Sequence, residues 1–459
     1  MLSRLAPPFA QMVLSQLDRT YRVVHPCRVF AVLLRSVISG SLMPSESTFL
    51  PRHRQIFFTC LSVFLVMLGC GVTIWKAVFA DGPSRHLDTA WLIAGTDCLF
   101  NGMSPYDIDN FTACWADSLS QDYMAPFVFP PGIFLLSFPM GLLPEAGARL
   151  YWSALGAATV PLLALALWQI ARVTAVDGPA RLLRACWVTL GVSIGGTAGA
   201  LYVGQPSVLV ALGICLVHLG LRDSRATVFL TGAVLCSLKP HLSLIWVVAA
   251  LLMPPARLAR AKGLLAGLVL LAAAALTLAD PQVFSDYLHA LEVHAGSPAS
   301  KLARAELLYG LPGLLDWGRS HPRGIAILAV ALVTSAAAGR ALARRRPAQC
   351  DWSIPMLAGA CLAGAFVSAH KGYDFAVYAL VLALAARLPR TVQALMLVPA
   401  LLIWRPALLD LLPVPGTANH VVLLDAVLAC SAGFLILYGL GQRARSQQSP
   451  VAAPVVPRI

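Results

Sequence analysis

The chain has 459 residues, a net charge of +13, 58% hydrophobic residues and 12% charged residues. That charged share is half the roughly 25% of soluble domains, and mean hydropathy is +0.75. The apolar residues fall in continuous blocks at 57–80, 150–170, 228–253 and 421–440, each able to cross a hydrocarbon core, which takes about 20 residues. A soluble enzyme, a secreted disulfide scaffold and a disordered chain are excluded. Continuous rather than alternating blocks also exclude a transmembrane barrel. The class is an all-α polytopic membrane protein.

The basic excess gathers in short stretches between apolar blocks: Arg52 and Arg54, 257–262, 340–346, and Arg443 with Arg445. This is the positive-inside pattern of cytoplasmic loops, not the basic face with interleaved aromatics of a nucleic-acid reader. Most of the eleven cysteines lie in apolar blocks, where Cys behaves as a small hydrophobe. Cys98 and Cys114 share one polar loop; they pair if the loop faces an oxidising compartment, and spacing alone leaves both states open.

In chain order, residues 1–55 form a cytoplasmic N-terminal segment, with translation starting at Met1 or at Met43. Its apolar runs are broken by charges, unlike a cleavable signal; an interfacial amphipathic segment is the other reading. A transmembrane domain over 56–440 begins with a span at 56–80. The loop 81–126 is acidic, with Asp81, Asp88, Asp97, Asp107, Asp109, Asp117 and Asp122 against Arg85 and His86. Its Trp91, Tyr106, Trp115 and Pro126 argue for order.

Further spans are expected at 127–143, 150–172, 183–203, 206–221, 227–253 and 262–279. A second outer loop, 280–322, follows. Spans at 323–342, 353–369, 373–388, 391–411 and 420–440 then lead to a cytoplasmic tail at 441–459. The preferred count is therefore about twelve spans with both termini inside. It leaves Arg172, Arg181 and Arg184 outside and Gly204-Gln205 inside. The alternative fuses 127–172 into one crossing with a re-entrant lead-in and makes Lys239-Pro240 the tip of a helical hairpin. Such broken segments occur where they line a polar cavity. No internal repeat supports an inverted-repeat transporter.

Three stretches carry candidate chemistry. The first is Asp88 to Tyr106, followed by Phe127-Val128-Phe129-Pro130-Pro131. Asp88 lies just past the outer end of the first span, where a partly desolvated carboxylate can serve as general base to a hydroxyl; a lone loop Asp is more commonly a solvated charge. Gly102 and Pro105-Tyr106 read as a turn, and Pro130-Pro131 as a rigid lead-in to the next helix. The second is Gly204-Gln205-Pro206-Ser207, then Lys239-Pro240-His241. An ionisable residue at membrane depth is a functional candidate with a phosphate or carboxylate partner, unless it snorkels to the interface. The third is His370-Lys371-Gly372-Tyr373-Asp374, with more polar side chains than a connecting turn requires, able to hold a phosphate and sugar hydroxyls.

The ordered set of Asp88, G-M-S-P-Y at 102–106, F-V-F-P-P at 127–131, G-Q-P-S at 204–207, K-P at 239–240 and H-K-G-Y-D at 370–374 resembles the polyprenol-phosphate-mannose-dependent mannosyltransferases of glycosyltransferase family 87, within the GT-C fold. The resemblance spans about 56–440. Phe129 stands where the family more usually has Tyr, and Pro206 where Asn is commoner. The resemblance implies a polyprenyl-phosphate sugar donor and a glycan or glycolipid acceptor. It also implies an extracytoplasmic site in a bacterial inner membrane and inverting transfer, with Asp88 as catalytic base. Lys239, His370, Lys371, Tyr373, Asp374 and Gln205 are the expected donor-binding residues; Gly102, Pro105, Tyr106, Pro130 and Pro131 are expected to shape the loops. A single-phosphate donor requires no metal or other cofactor, and the D-x-D spacing of Asp107 and Asp109 is taken as chance. The competing classes are a flippase or transporter of a lipid-linked glycan, and a polysaccharide polymerase or ligase.

Overall fold

The computed structural model describes residues 52–79, 85–116, 126–172, 178–243, 282–296, 322–345, 351–367, 372–405 and 417–448. These residues are mostly helical, without strands. Helix α1, Arg52–Phe79, opens the bundle. It leaves Phe57, Phe64, Met67 and Trp75 exposed, a face that only lipid tolerates. After it come α2, Leu87–Phe100, and α3, Ile108–Ala116. Three short turns follow, Pro131–Ile133, Phe134–Ser137 and Phe138–Leu142. Next are α4, Glu145–Ala171, α5, Gly178–Val192, and α6, Gly195–Val203.

Helices α7, Ser207–Asp223, and α8, Ala226–Cys236, form a tight hairpin. The Gly220 and Gly232 backbones lie directly against Phe229 and Val217, so small residues set the approach. Helix α9, Val283–Gly296, is separate in sequence. Helices α10, Pro322–Arg345, and α11, Ser353–Val367, both pack on α14, Thr417–Gln448. Between them run a 3-10 turn at Gly372–Tyr378, α12, Ala379–Ala385, and α13, Arg390–Trp404.

Among the described residues five helices are long and apolar enough to cross a membrane: His53–Phe79, Glu145–Ala171, Gly178–Val203, Pro322–Arg344 and Val422–Arg445. Shorter apolar helices complete the bundle. The expected span at 262–279 lies outside the described residues.

The expectation for 127–143 is corrected. Pro130, Pro131 and Pro139 break that stretch into turns, because a proline lacks the N–H that a continuous helix needs. The crossing after α1 is therefore α4. This places Arg172, Arg181 and Arg184 at the end where α1 starts: the Arg181 guanidinium donates to Thr59, and the Arg184 guanidinium sits 5.6 Å from the Trp168 ring centre. The later arginines form a similar group, with Arg443 stacked 4.8 Å over the Trp352 ring. Gly204-Gln205 moves to the opposite end, beside α2, as the hairpin alternative requires. The bundle thus has an arginine end and an Asp88 end.

Candidate active site

Helix α2 starts at His86, whose left-handed backbone (φ 59°) turns the chain into the helix. Its N–H donates to the Tyr202 carbonyl at 2.9 Å, joining the start of α2 to the end of α6. Asp88 occupies the first helical turn and is half-buried. Unpaired N–H groups and the helix dipole favour a negative charge there. The turn after α6 is pressed against the next residue. Gly204 has φ 86°, and any Cβ on it would collide with Thr89. The Gly204 carbonyl accepts from Trp152 Nε1 at 2.8 Å, so α4 supports the same turn.

Beyond it, Ser207 begins α7 and enters a buried polar triad. Lys239 Nζ donates to Asp374 Oδ1 at 2.6 Å and to Ser207 Oγ at 3.1 Å; Ser207 Oγ–H donates to Asp374 Oδ1 at 2.6 Å. All three residues are buried. Lys239 therefore does not snorkel: the carboxylate partner considered from the sequence is Asp374. Gly132 lies against Ser237, bringing the Pro130-Pro131 turn to the Lys239 turn. Motifs 32 to 167 positions apart in sequence thus meet beside the helix that carries Asp88.

A roof of aromatics covers this end. Tyr106 Oη donates to the Phe129 carbonyl at 2.9 Å and packs 5.2 Å from Tyr287 of α9; burial holds its hydroxyl protonated, well above the usual tyrosine range. Trp91 meets Trp115 and His294 edge-on. The two polar loops around 81–126 and 280–322 therefore touch at one end. Gly102 takes the positive φ of a turn, 71°, Pro105 is buried in the next, and Pro130 and Pro131 open a 3-10 turn. Cys98 and Cys114 are disulfide-bonded, resolving the pairing left open by spacing. Asp107 Oδ1 accepts the Asn110 N–H at 2.8 Å, a helix cap that accounts for one half of the chance D-x-D.

Several buried polar atoms here have no hydrogen-bond partner among the described residues: Thr89 Oγ1, Gln205 Oε1, His86 Nδ1, Trp91 Nε1 and Trp115 Nε1. Each such atom costs about 1–3 kcal/mol unless a ligand or water meets it. Burial, then Arg85 and Arg149, hold the His86 pKa below the ordinary value. Asp97 departs from a solvated loop charge: burial and then Glu145 raise its carboxyl above the usual range.

His370 and Lys371 lie outside the described residues, and of Tyr373 only the backbone is described. Sequence reasoning quoted Ser207 within G-Q-P-S without giving it a role. It passed over Thr89, although it adjoins Asp88, and Trp152, which nothing distinguishes from an apolar helix residue.

The fold and its polar end define a multi-pass helical membrane protein. The family model of glycosyltransferase family 87 matches residues 127–369, more than half of the chain, and the chain belongs to that family. It is a membrane glycosyltransferase, using a sugar donor and an acceptor in the lipid bilayer. The match takes in Pro130, Pro131, Gln205, Ser207 and Lys239; Asp88 precedes it and His370 follows it. No curated protein and no solved structure matches the chain.

Proposed function

We propose that the protein transfers a sugar, with mannose the first candidate, from a polyprenyl-phosphate donor to a lipid-linked or cell-envelope glycan. The site is the Asp88 end, on the extracytoplasmic face of a bacterial inner membrane, in a GT-C type fold. The observation that carries this reading is the convergence of the α2 start, the 204–207 turn and the Lys239–Asp374 pair at the end opposite the arginines. The positive-inside rule assigns the arginine end to the cytoplasm. A disulfide at the other end accords with an oxidising compartment.

In this mechanism Asp88 accepts the proton of the acceptor hydroxyl. The acceptor oxygen forms a bond to the anomeric carbon as the bond from that carbon to the phosphate oxygen breaks. Polyprenyl phosphate leaves with the bonding electrons, and the configuration inverts. His370 and Lys371 are the candidate phosphate contacts, with Tyr373 beside them. Lys239, Asp374 and Ser207 hold the 204–207 turn and the 372–374 segment together, and Gln205 faces the donor sugar. Purified enzyme incubated with radiolabelled polyprenyl-phosphate mannose and membrane glycolipid acceptors is the test. Label should pass to glycolipid from that donor and not from a nucleotide sugar; transfer from the nucleotide sugar alone would refute the reading.

A further inference from the structure

Where α1 ends, at the Asp88 end of the bundle, an open groove of about 440 Å³ runs between α1 and α6. Trp75, Lys76 and Phe79 of α1 line it, facing Ala198, Gly199 and Tyr202 of α6. The Trp75 and Phe79 rings lie 3.9 Å apart between centres, and both are more than half exposed. Ala198 and Gly199 are too small to fill the space between the helices. The groove adjoins the site described above. The Tyr202 carbonyl accepts the His86 N–H at 2.9 Å, two residues before Asp88. Helix α6 packs against both α1 and the Gly372–Tyr378 turn.

An ammonium set among aromatic rings at the end of a spanning helix suits an amphiphile with a phosphate head and a hydrocarbon chain. A free anion would leave the rings unused, and a neutral lipid would leave the ammonium unused. Trp, Tyr and Lys also populate ordinary membrane interfaces. What sets these apart is that rings from two helices wall one groove, and that the groove adjoins the start of α2. We propose that it seats the phosphate end of the polyprenyl-phosphate donor on its way from lipid to Asp88. Lys76 Nζ meets the phosphate, and the first isoprene units lie against Trp75, Phe79 and Tyr202. The choice of an isoprenoid chain over an acyl chain rests on the donor reading given above.

The test uses the full chain in phosphatidylcholine nanodiscs and a photoactivatable polyprenyl phosphate without sugar, so binding is read apart from transfer. Cross-links located by mass spectrometry should fall at 75–79 and 198–202. The matching polyprenol, lacking the phosphate, should label these positions about tenfold less, the lower end for a lost charge-assisted contact, because Lys76 is exposed. Polyprenyl phosphate should lose the same factor on Lys76→Met, an exposed change that should fold. Ala198→Leu, which fills the groove, should abolish the labelling, and Phe64→Ala, elsewhere on the exposed face of α1, should leave it unchanged. Photoactivatable phosphatidylglycerol should label weakly, and millimolar inorganic phosphate should not displace the probe. Labelling by phosphatidylglycerol as strong as by polyprenyl phosphate would reduce the groove to an ordinary interface and overturn the proposal. So would equal labelling by polyprenol, displacement by phosphate alone, or undiminished labelling of folded Lys76→Met. The donor reading fails separately. If the groove is labelled as expected but sugar passes only from a nucleotide sugar, the groove stands as a polyprenyl-phosphate site and the donor assignment falls. Transfer from polyprenyl-phosphate mannose with labelling elsewhere refutes the groove alone.

Discussion

The Lys239–Asp374 pair gives the most demanding test of the site's construction. Both side chains are buried, at 8% and 4% relative exposure, and Nζ lies 2.6 Å from Oδ1. Lys239→Met removes the cation and leaves the Asp374 carboxylate buried, and breaking a buried pair in this way costs about 3–5 kcal/mol. Asp374→Leu alone should cost a similar amount by stranding the ammonium. The double variant removes both charges, and an apolar replacement for a buried pair is often neutral, so it should recover most of the loss. Unfolding by SDS titration in mixed micelles, on wild type, both singles and the double, yields the coupling energy. A Lys239→Met variant within about 0.5 kcal/mol of wild type, the usual range of an ordinary surface change, would refute the argument, as would strictly additive singles. Donor kinetics of the stable double variant then address the expectation that Lys239 also meets phosphate. Losing a charge-assisted contact costs about 1.5–3 kcal/mol, roughly a tenfold to hundredfold rise in donor KM, whereas an unchanged KM would confine Lys239 to holding the turn.

Asp88→Asn should preserve folding and lower transfer by more than about a hundredfold, the lower end for a general base. Asp109→Asn, at an exposed position, is the control in the same rate measurement. Cys98→Ala should cost about 3 kcal/mol of stability, the figure for a loop of this length, given the 16-residue separation of the bonded cysteines; thiol-blocking mass spectrometry without reductant should find the pair intact. His86 has a depressed folded pKa, so the unfolded chain takes up its proton first. The stability contributed by neutral His86 should therefore be full above about 6.5 and fall as pH drops below it, measurable as a pH-dependent melting temperature that His86→Gln flattens. Gly204→Ala should destabilise by about 1–3 kcal/mol through its positive φ and the collision with Thr89, and Thr89→Ala should restore only part of that in thermal melts.

Much of the fold was legible because hydrocarbon offers the backbone no hydrogen bond: continuous apolar blocks such as 57–80 and 421–440 meet it only as helices. What misled was hydropathy without proline. Residues 127–143 are apolar enough for a span, yet Pro130, Pro131 and Pro139 keep them in short turns, and the error inverted the sidedness of everything from Arg172 to Arg225. The misplaced arginines at 172, 181 and 184 were the signal against a crossing at 127–143. At the site, Lys239 stood out because a cation in an apolar block is costly. Asp374 was singled out for donor contacts, and its pairing with Lys239 across 135 positions has no local signature. Asp97 read as a loop charge, because the burial and the Glu145 carboxylate that raise its pKa are tertiary features with no local signature.

The corrected topology also makes a structural argument for why the polar motifs gather where they do. With α4 as the crossing after α1, the 204–207 turn, the Lys239 turn and the Asp374 turn all arrive at the end where α2 begins. Each is a helix boundary, where backbone N–H and C=O groups lack intrahelical partners and lipid cannot meet them. Two of them are met by neighbouring elements, the Tyr202 carbonyl by the His86 N–H and the Gly204 carbonyl by Trp152 Nε1, while the Ser207 side chain joins the start of α7 to the Lys239–Asp374 pair. Helix ends that converge inside a membrane protein gather polar groups in one place as a geometric consequence. Thr89 Oγ1 and Gln205 Oε1 stay buried there without a hydrogen-bond partner among the described residues. The polar cluster is in this sense a product of where the helices end, and Asp88, in the first turn of α2, lies beside it, which is the position the proposed base role requires.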